Sequence, residues 1–86
     1  MTRYRVHVRV TPRPGLLDPE GQAIQHALSN LGYDGVEEVR VGKSIQLLVD
    51  ASSTDEARES AQSMSERLLA NPVTEDVEIE IEGVAS

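Results

Sequence analysis

From Tyr4 to Val10 the chain alternates without a break, with Tyr4, Val6, Val8 and Val10 on one parity and Arg5, His7 and Arg9 on the other. A period of two sends those sets to opposite faces, so the segment is predicted as a half-buried strand. Thr11-Pro12-Arg13-Pro14-Gly15 ends it, because proline has no N–H to give a sheet ladder. The period then changes. Asp18-Pro19 reads as an N-cap followed by proline at the first helical position. Ile24, Ala27, Leu28 and Leu31 recur at helical spacing as the core stripe, with Gln22, Gln25, His26 and Ser29 facing out, and Gly32 supplies a left-handed stop.

Alternation returns at Val39 and Val41, a second predicted strand, and again at Ile45, Leu47 and Val49, a third. Gly42-Lys43 between them reads as a two-residue type II′ hairpin loop. Ser53-Thr54-Asp55-Glu56 matches a capping box and opens a second helix with the stripe Ala57, Ala61, Met64 and Leu68, stopped by Asn71-Pro72. Val77, Ile79 and Ile81 then alternate with Glu78, Glu80 and Glu82 in a last strand.

The order βαββαβ, with one apolar face per strand and two amphipathic helices, predicts a ferredoxin-like α+β two-layer sandwich. Its sheet is antiparallel with both helices on one face. Residues 1–82 form one domain and 83–86 a flexible tail. In this topology the first and last strands are neighbours, so Arg5, His7 and Arg9 meet Glu78, Glu80 and Glu82 across the ladder. Mutual neutralisation explains the basic stripe better than an anion site does. Leu48 alone breaks the outward parity of its strand and marks a candidate oligomer contact.

Composition narrows the function. The chain has 86 residues, 15 acidic against 8 basic, a net charge of −7 and no cysteine. Such charge repels phosphate backbones and anionic membranes, and no aromatic row is available to stack bases, so neither nucleic acid nor membrane is an expected partner. Apolar runs are too short to cross a bilayer, and the N-terminal residues lack the apolar core of a secretory signal, which points to the cytoplasm. His7 and His26 fall on different elements, so no metal cluster is expected. The serines have no histidine beside them, and the glycines form neither a phosphate loop nor a dinucleotide fingerprint. No catalytic residues emerge, and whether the isolated chain is an enzyme stays open; it reads as a binding or assembly module.

Three stretches left unexplained by these patterns are Pro14 to Ala23, Arg40 to Ile45, and Leu68 to Asp76. They resemble, in order and spacing, the signature stretches of the PurS family, the small subunits of phosphoribosylformylglycinamidine synthase. The resemblance implies a non-catalytic subunit of an ATP-dependent, glutamine-using carbon–nitrogen ligase in de novo purine biosynthesis. It would bridge a synthetase subunit (PurL) and a glutaminase subunit (PurQ) and support ammonia transfer to formylglycinamide ribonucleotide. It would act as a homodimer or higher homo-oligomer, with no cofactor of its own and with ATP and Mg bound in the synthetase. The candidate partner-contact residues are Leu16, Leu17, Arg40, Gly42, Lys43 and Leu48. The alternative reading is an ACT-like module, which shares the βαββαβ order and binds small metabolites.

Overall fold

The alternating first segment becomes the centre of the molecule. In the computed structural model, which describes residues 2–15 and 18–84, strand β1 (Thr2–Pro12) pairs antiparallel on one side with β2 (Lys43–Ala51) and on the other with β3 (Glu75–Val84). Tyr4 on β1 is buried, and Val6, Val8 and Val10 are fully enclosed. A central strand shields its own apolar row from both flanks, which is why these small β-branched residues suffice.

Helix α2 (Thr54–Met64) covers that row. It starts as its sequence directs, with the Ser53 hydroxyl accepting the Glu56 N–H at 3.1 Å. The reciprocal half of the capping box is absent: the Glu56 carboxylate accepts from the Ser52 hydroxyl instead. Ala57 and Ala61 are fully buried, and small side chains there let the helix approach the sheet closely.

The rest of the predicted stripe is corrected by one turn of π-helix, Ser65–Leu69, in which the Ala70 N–H reaches back to the Ser65 carbonyl. One extra residue in that turn advances the phase. Ser65 is therefore buried, its hydroxyl donating to the Ala61 carbonyl at 2.7 Å, and Leu69 and Ala70 pack on the core. Met64 and Leu68, predicted inside, are 39% and 82% exposed.

With three antiparallel strands and two helices the chain has the ferredoxin-like α+β arrangement the sequence predicts. Two details differ. Residues Val39 and Val41 form no strand, and Gly42-Lys43 is not a hairpin loop: Lys43 already pairs with Val10 as the first residue of β2. A II′ turn needs positive φ at its first central residue, and Gly42 has none. It is glycine for another reason. A Cβ at this position would press into the Val10 carbonyl oxygen and lie 2.9 Å from Thr11 Cγ2.

The second difference concerns helix α1 (Pro19–Asn30). Its cap is as predicted: Asp18 accepts the Gly21 N–H at 3.0 Å, Pro19 occupies the first turn, and Gly32 follows the helix at φ 100°. Its stripe nevertheless contributes nothing to the core, which is built from β1, β2, α2 and its π turn, and β3. Ile24 is 40% and Leu31 73% exposed. The molecule measures 52 × 28 × 14 Å. About 36 Å of β1 and about 18 Å of helix account for the long dimension only when laid end to end, so α1 extends past the sheet as an arm. At the other terminus β3 continues through Val84, which places Gly83 and Val84 in the sheet rather than in the predicted tail.

Candidate partner interface

Where the arm leaves the sheet, one carboxylate does two jobs. Asp18 Oδ1 caps α1 through the Gly21 N–H, and Oδ2 accepts the Val41 N–H at 2.9 Å. The helix start and the segment leading into β2 are thereby tied together 23 residues apart in sequence. Further along, Gln25 Nε2 donates to the Val36 and Glu37 carbonyls at 3.1 and 2.9 Å. Gly21 is buried where any Cβ would strike the Val39 carbonyl. Residues 36–41 thus lie along α1 as its return segment. Gln25, which the helical periodicity places outward, is a structural clasp, and nothing in its sequence context distinguishes it from a solvated glutamine.

The two backbone hydrogen bonds, from Gly21 and then from Val41, hold the Asp18 carboxyl below its ordinary value of 3.8, and the nearby Arg40 guanidinium adds to this. A lowered folded-state value means stability that is present above the unfolded-state pKa and lost as pH falls through the folded one. We expect the wild type to lose arm structure below about pH 4. Asp18→Asn keeps an N-capping oxygen but removes this titration, so its stability curve from pH 5 to 2, followed by circular dichroism, should fall less steeply.

The outer sheet face carries the expected ion pairs, shifted diagonally from the backbone register. His7 and Glu80 are backbone neighbours, as are Arg9 and Glu78. By side chain, however, His7 Nε2 meets Glu82 at 2.7 Å and Arg9 Nη1 meets Glu80 at 2.9 Å. Arg5 contacts Glu82 at 3.7 Å, and Arg9 has a second contact, with Glu78, at 3.6 Å. The ladder steps from Val6–Ile81 to Arg5–Gly83, leaving Glu82 as an extra residue in a bulge; there it serves two cations at once. The hydrogen bond between Arg9 and Glu80 raises the one pKa and lowers the other. This stripe is neutralised and is no anion site.

The sequence-predicted contact residues separate accordingly. Arg40 and Lys43 are exposed on either side of Gly42, and among the described residues neither takes part in an ion pair. Leu48 stands 52% exposed on the outer face, opposite Arg5 of β1. Leu16 and Leu17 lie outside the described residues. The structure does bring Arg40, Gly42 and Lys43 together, as a junction between arm and sheet; Leu48 lies further along β2. No group of three potential metal ligands occurs among the described residues, and no helix is long and apolar enough to cross a membrane.

A ferredoxin-like plate with a neutralised outer face and a projecting arm defines a small module whose distinctive features are surfaces. Comparison with known proteins makes this specific. Residues 5–83 match the family model described as PurS, phosphoribosylformylglycinamidine (FGAM) synthase, and the chain belongs to the PurS family. It is 45% identical over 78 residues to the Synechocystis PurS subunit of that synthase, covering 91% of this chain and 78% of that protein. It is 41% identical to the Bacillus subtilis subunit, over 96% and 98% of the two chains. Among solved structures, a chain of PurLQS from Thermotoga maritima superposes with a TM-score of 0.86 at 33% identity, covering 94% and 99%. Methanocaldococcus jannaschii PurS gives 0.83 at 36% identity, covering 95% and 99%. The chain is thus a PurS subunit of the FGAM synthase of purine biosynthesis.

Proposed function

We propose that this chain is the homodimeric, non-catalytic subunit that holds a PurQ-type glutaminase against a PurL-type synthetase in the cytoplasm. The observation that carries this reading is the end-to-end likeness to a chain of the Thermotoga maritima PurLQS structure. In the reaction, the glutaminase frees ammonia from glutamine. The synthetase uses ATP to phosphorylate the formyl-amide oxygen of formylglycinamide ribonucleotide, and ammonia displaces phosphate to leave the amidine. ATP and Mg belong to the synthetase and no cofactor to this chain. Ammonia in transit must be kept from water and protons, which calls for close-fitting surfaces rather than reactive groups. Rigid paired charge and a projecting arm suit that role.

The test is reconstitution from purified subunits. Glutamine-dependent amidation by synthetase and glutaminase should rise at least tenfold when this chain is added, while the chain alone turns over neither ATP nor glutamine. Full glutamine-dependent activity without the chain would overturn the reading.

A further inference from the structure

Where α1 turns back into its return segment, the two border an open pocket that the bridging role does not use. Its volume is about 500 Å³, within the roughly 300–1,000 Å³ of small-molecule sites. One wall is the polar face of α1, with Gln22, Gln25, His26 and Ser29; the other is Tyr33, Asp34 and Val36. By helical spacing that polar face lies opposite Ile24, Leu28 and Leu31, so whatever covers the apolar stripe leaves the pocket open.

Both walls are set before any ligand arrives. The N–H groups of Leu31, Gly32 and Tyr33 return to carbonyls of the last turn of α1, with Gly32 at φ 100°. These bonds fix the backbone that carries Tyr33 and Asp34. Across from it, Gln25 Nε2 donates to both the Val36 and the Glu37 carbonyls. That clasp uses both N–H groups of the amide and holds it in one orientation. Its Oε1 is left as a fixed acceptor, without a partner among the described residues and open to the surface.

Tyr33 supplies an aromatic face. It is 61% exposed, while the other tyrosine, Tyr4, lies in the core, and the chain has no Phe or Trp. An exposed ring on a fixed turn is a stacking platform for a planar base. The polar groups beside it select which one. Two Asp34 oxygens and the Gln25 oxygen accept, while Gln22 and Ser29 can donate. No lysine or arginine lines the pocket. A phosphate would find only the His26 imidazole, on a chain of net charge −7 that repels it. An organic ammonium would use Tyr33 and Asp34 but leave the amides and the hydroxyl unmatched. A guanine-type base matches all of them: N1–H and the exocyclic amino group donate side by side along one edge, and O6 and N7 accept.

We propose that this pocket binds a guanine-type purine nucleoside without phosphate, stacked on Tyr33 with its N–H edge on Asp34 and Gln25. The site is additional to the bridging role and independent of it.

The test is titration of the purified protein with guanosine up to about 1 mM, followed by proton NMR. With only two tyrosines, one buried, the Tyr33 ring signals are easily told from those of Tyr4. We expect the Tyr33 signals to shift with half-saturation inside that range while Tyr4 stays still. By calorimetry, Tyr33→Ala should weaken binding about tenfold, as loss of a base–aromatic stack does, and Tyr33→Phe should preserve it. Guanosine should bind about tenfold more tightly than adenosine, a preference that Asp34→Asn reduces to about twofold or less. Guanosine 5′-monophosphate should bind no more tightly than guanosine. Unmoved Tyr33 signals, equal affinity for adenosine, undiminished binding by Tyr33→Ala, tighter binding of the monophosphate, or an equal shift with choline would each overturn the site. The wild-type titrations decide the matter even where a variant folds poorly. None of these outcomes bears on the bridging reading, which stands or falls by reconstitution.

Discussion

Replacing Gly42 by alanine lowers the melting temperature by about 10–20 °C, a drop to be measured by thermal circular dichroism. The added Cβ would enter the Val10 carbonyl oxygen and crowd Thr11, both on the central strand β1. Because β1 is held on both sides by ladders with β2 and β3, its backbone can retreat only by breaking pairs. Overpacking of this kind costs about 1–3 kcal/mol and more where backbone rather than side chain must move, and each kcal/mol is worth about 4–8 °C in a domain of this size. Gly35→Ala is the control, since nothing lies within 4 Å of a Cβ there and its φ is not positive. A Gly42→Ala protein that melts within about 2 °C of wild type would show that the junction is slack.

The second large effect is on activity and leaves stability alone. Arg40→Ala combined with Lys43→Ala should reduce glutamine-dependent amidation in the reconstituted complex about tenfold or more, while amidation driven by high external ammonia is largely spared. The two cations flank Gly42 on an acidic chain, exposed and without an ion-pair partner among the described residues. Within the protomer, Arg40 gives only the smallest of the effects that lower the Asp18 pKa, and Lys43 forms no ion pair among the described residues. At an interface, a desolvated charge whose partner is stranded costs about 2–5 kcal/mol, roughly thirtyfold or more in affinity. Melting temperature should shift by no more than about 2 °C, because exposed charges away from pairs contribute little. Wild-type glutamine-dependent rates in the double variant would reduce Arg40 and Lys43 to solvated surface.

Where a signal is local, the sequence shows it. Asp18-Pro19, Ser53 with Glu56, and the alternation of β1 and β3 each need only neighbouring residues to be interpreted, and each element forms where they place it. Gly42 shows the limit. A glycine between two alternating runs looks like a turn, yet whether it is there for positive φ or for a close approach depends on Val10 and Thr11, some thirty residues away. The π turn at Ser65 is hidden for a different reason. One additional residue per turn leaves no mark in a heptad-like pattern, so Leu68 was expected inside and Leu69 took its place. The α1 stripe is legible as amphipathic but not as to what it covers, because periodicity gives a face and not a partner. Of the contact residues, Arg40 and Lys43 stood out by sign of charge on an acidic chain, whereas Gln25 and the double role of Asp18 depend on the path of the return segment.

The position of β1 has a consequence for how the protein is made. Of the three described strands, β1 is made before the two that pair with it, and its nearer ladder partner begins at Lys43. At about 5–20 residues per second, the ribosome leaves this valine-rich segment without a sheet for several seconds, and it gains its second neighbour only when β3 emerges. All strand pairing is therefore long-range, a topology that folds slowly for its size. Until β3 emerges, Arg5, His7 and Arg9 keep the nascent strand charged on one face, which makes it a poor template for other unfinished copies.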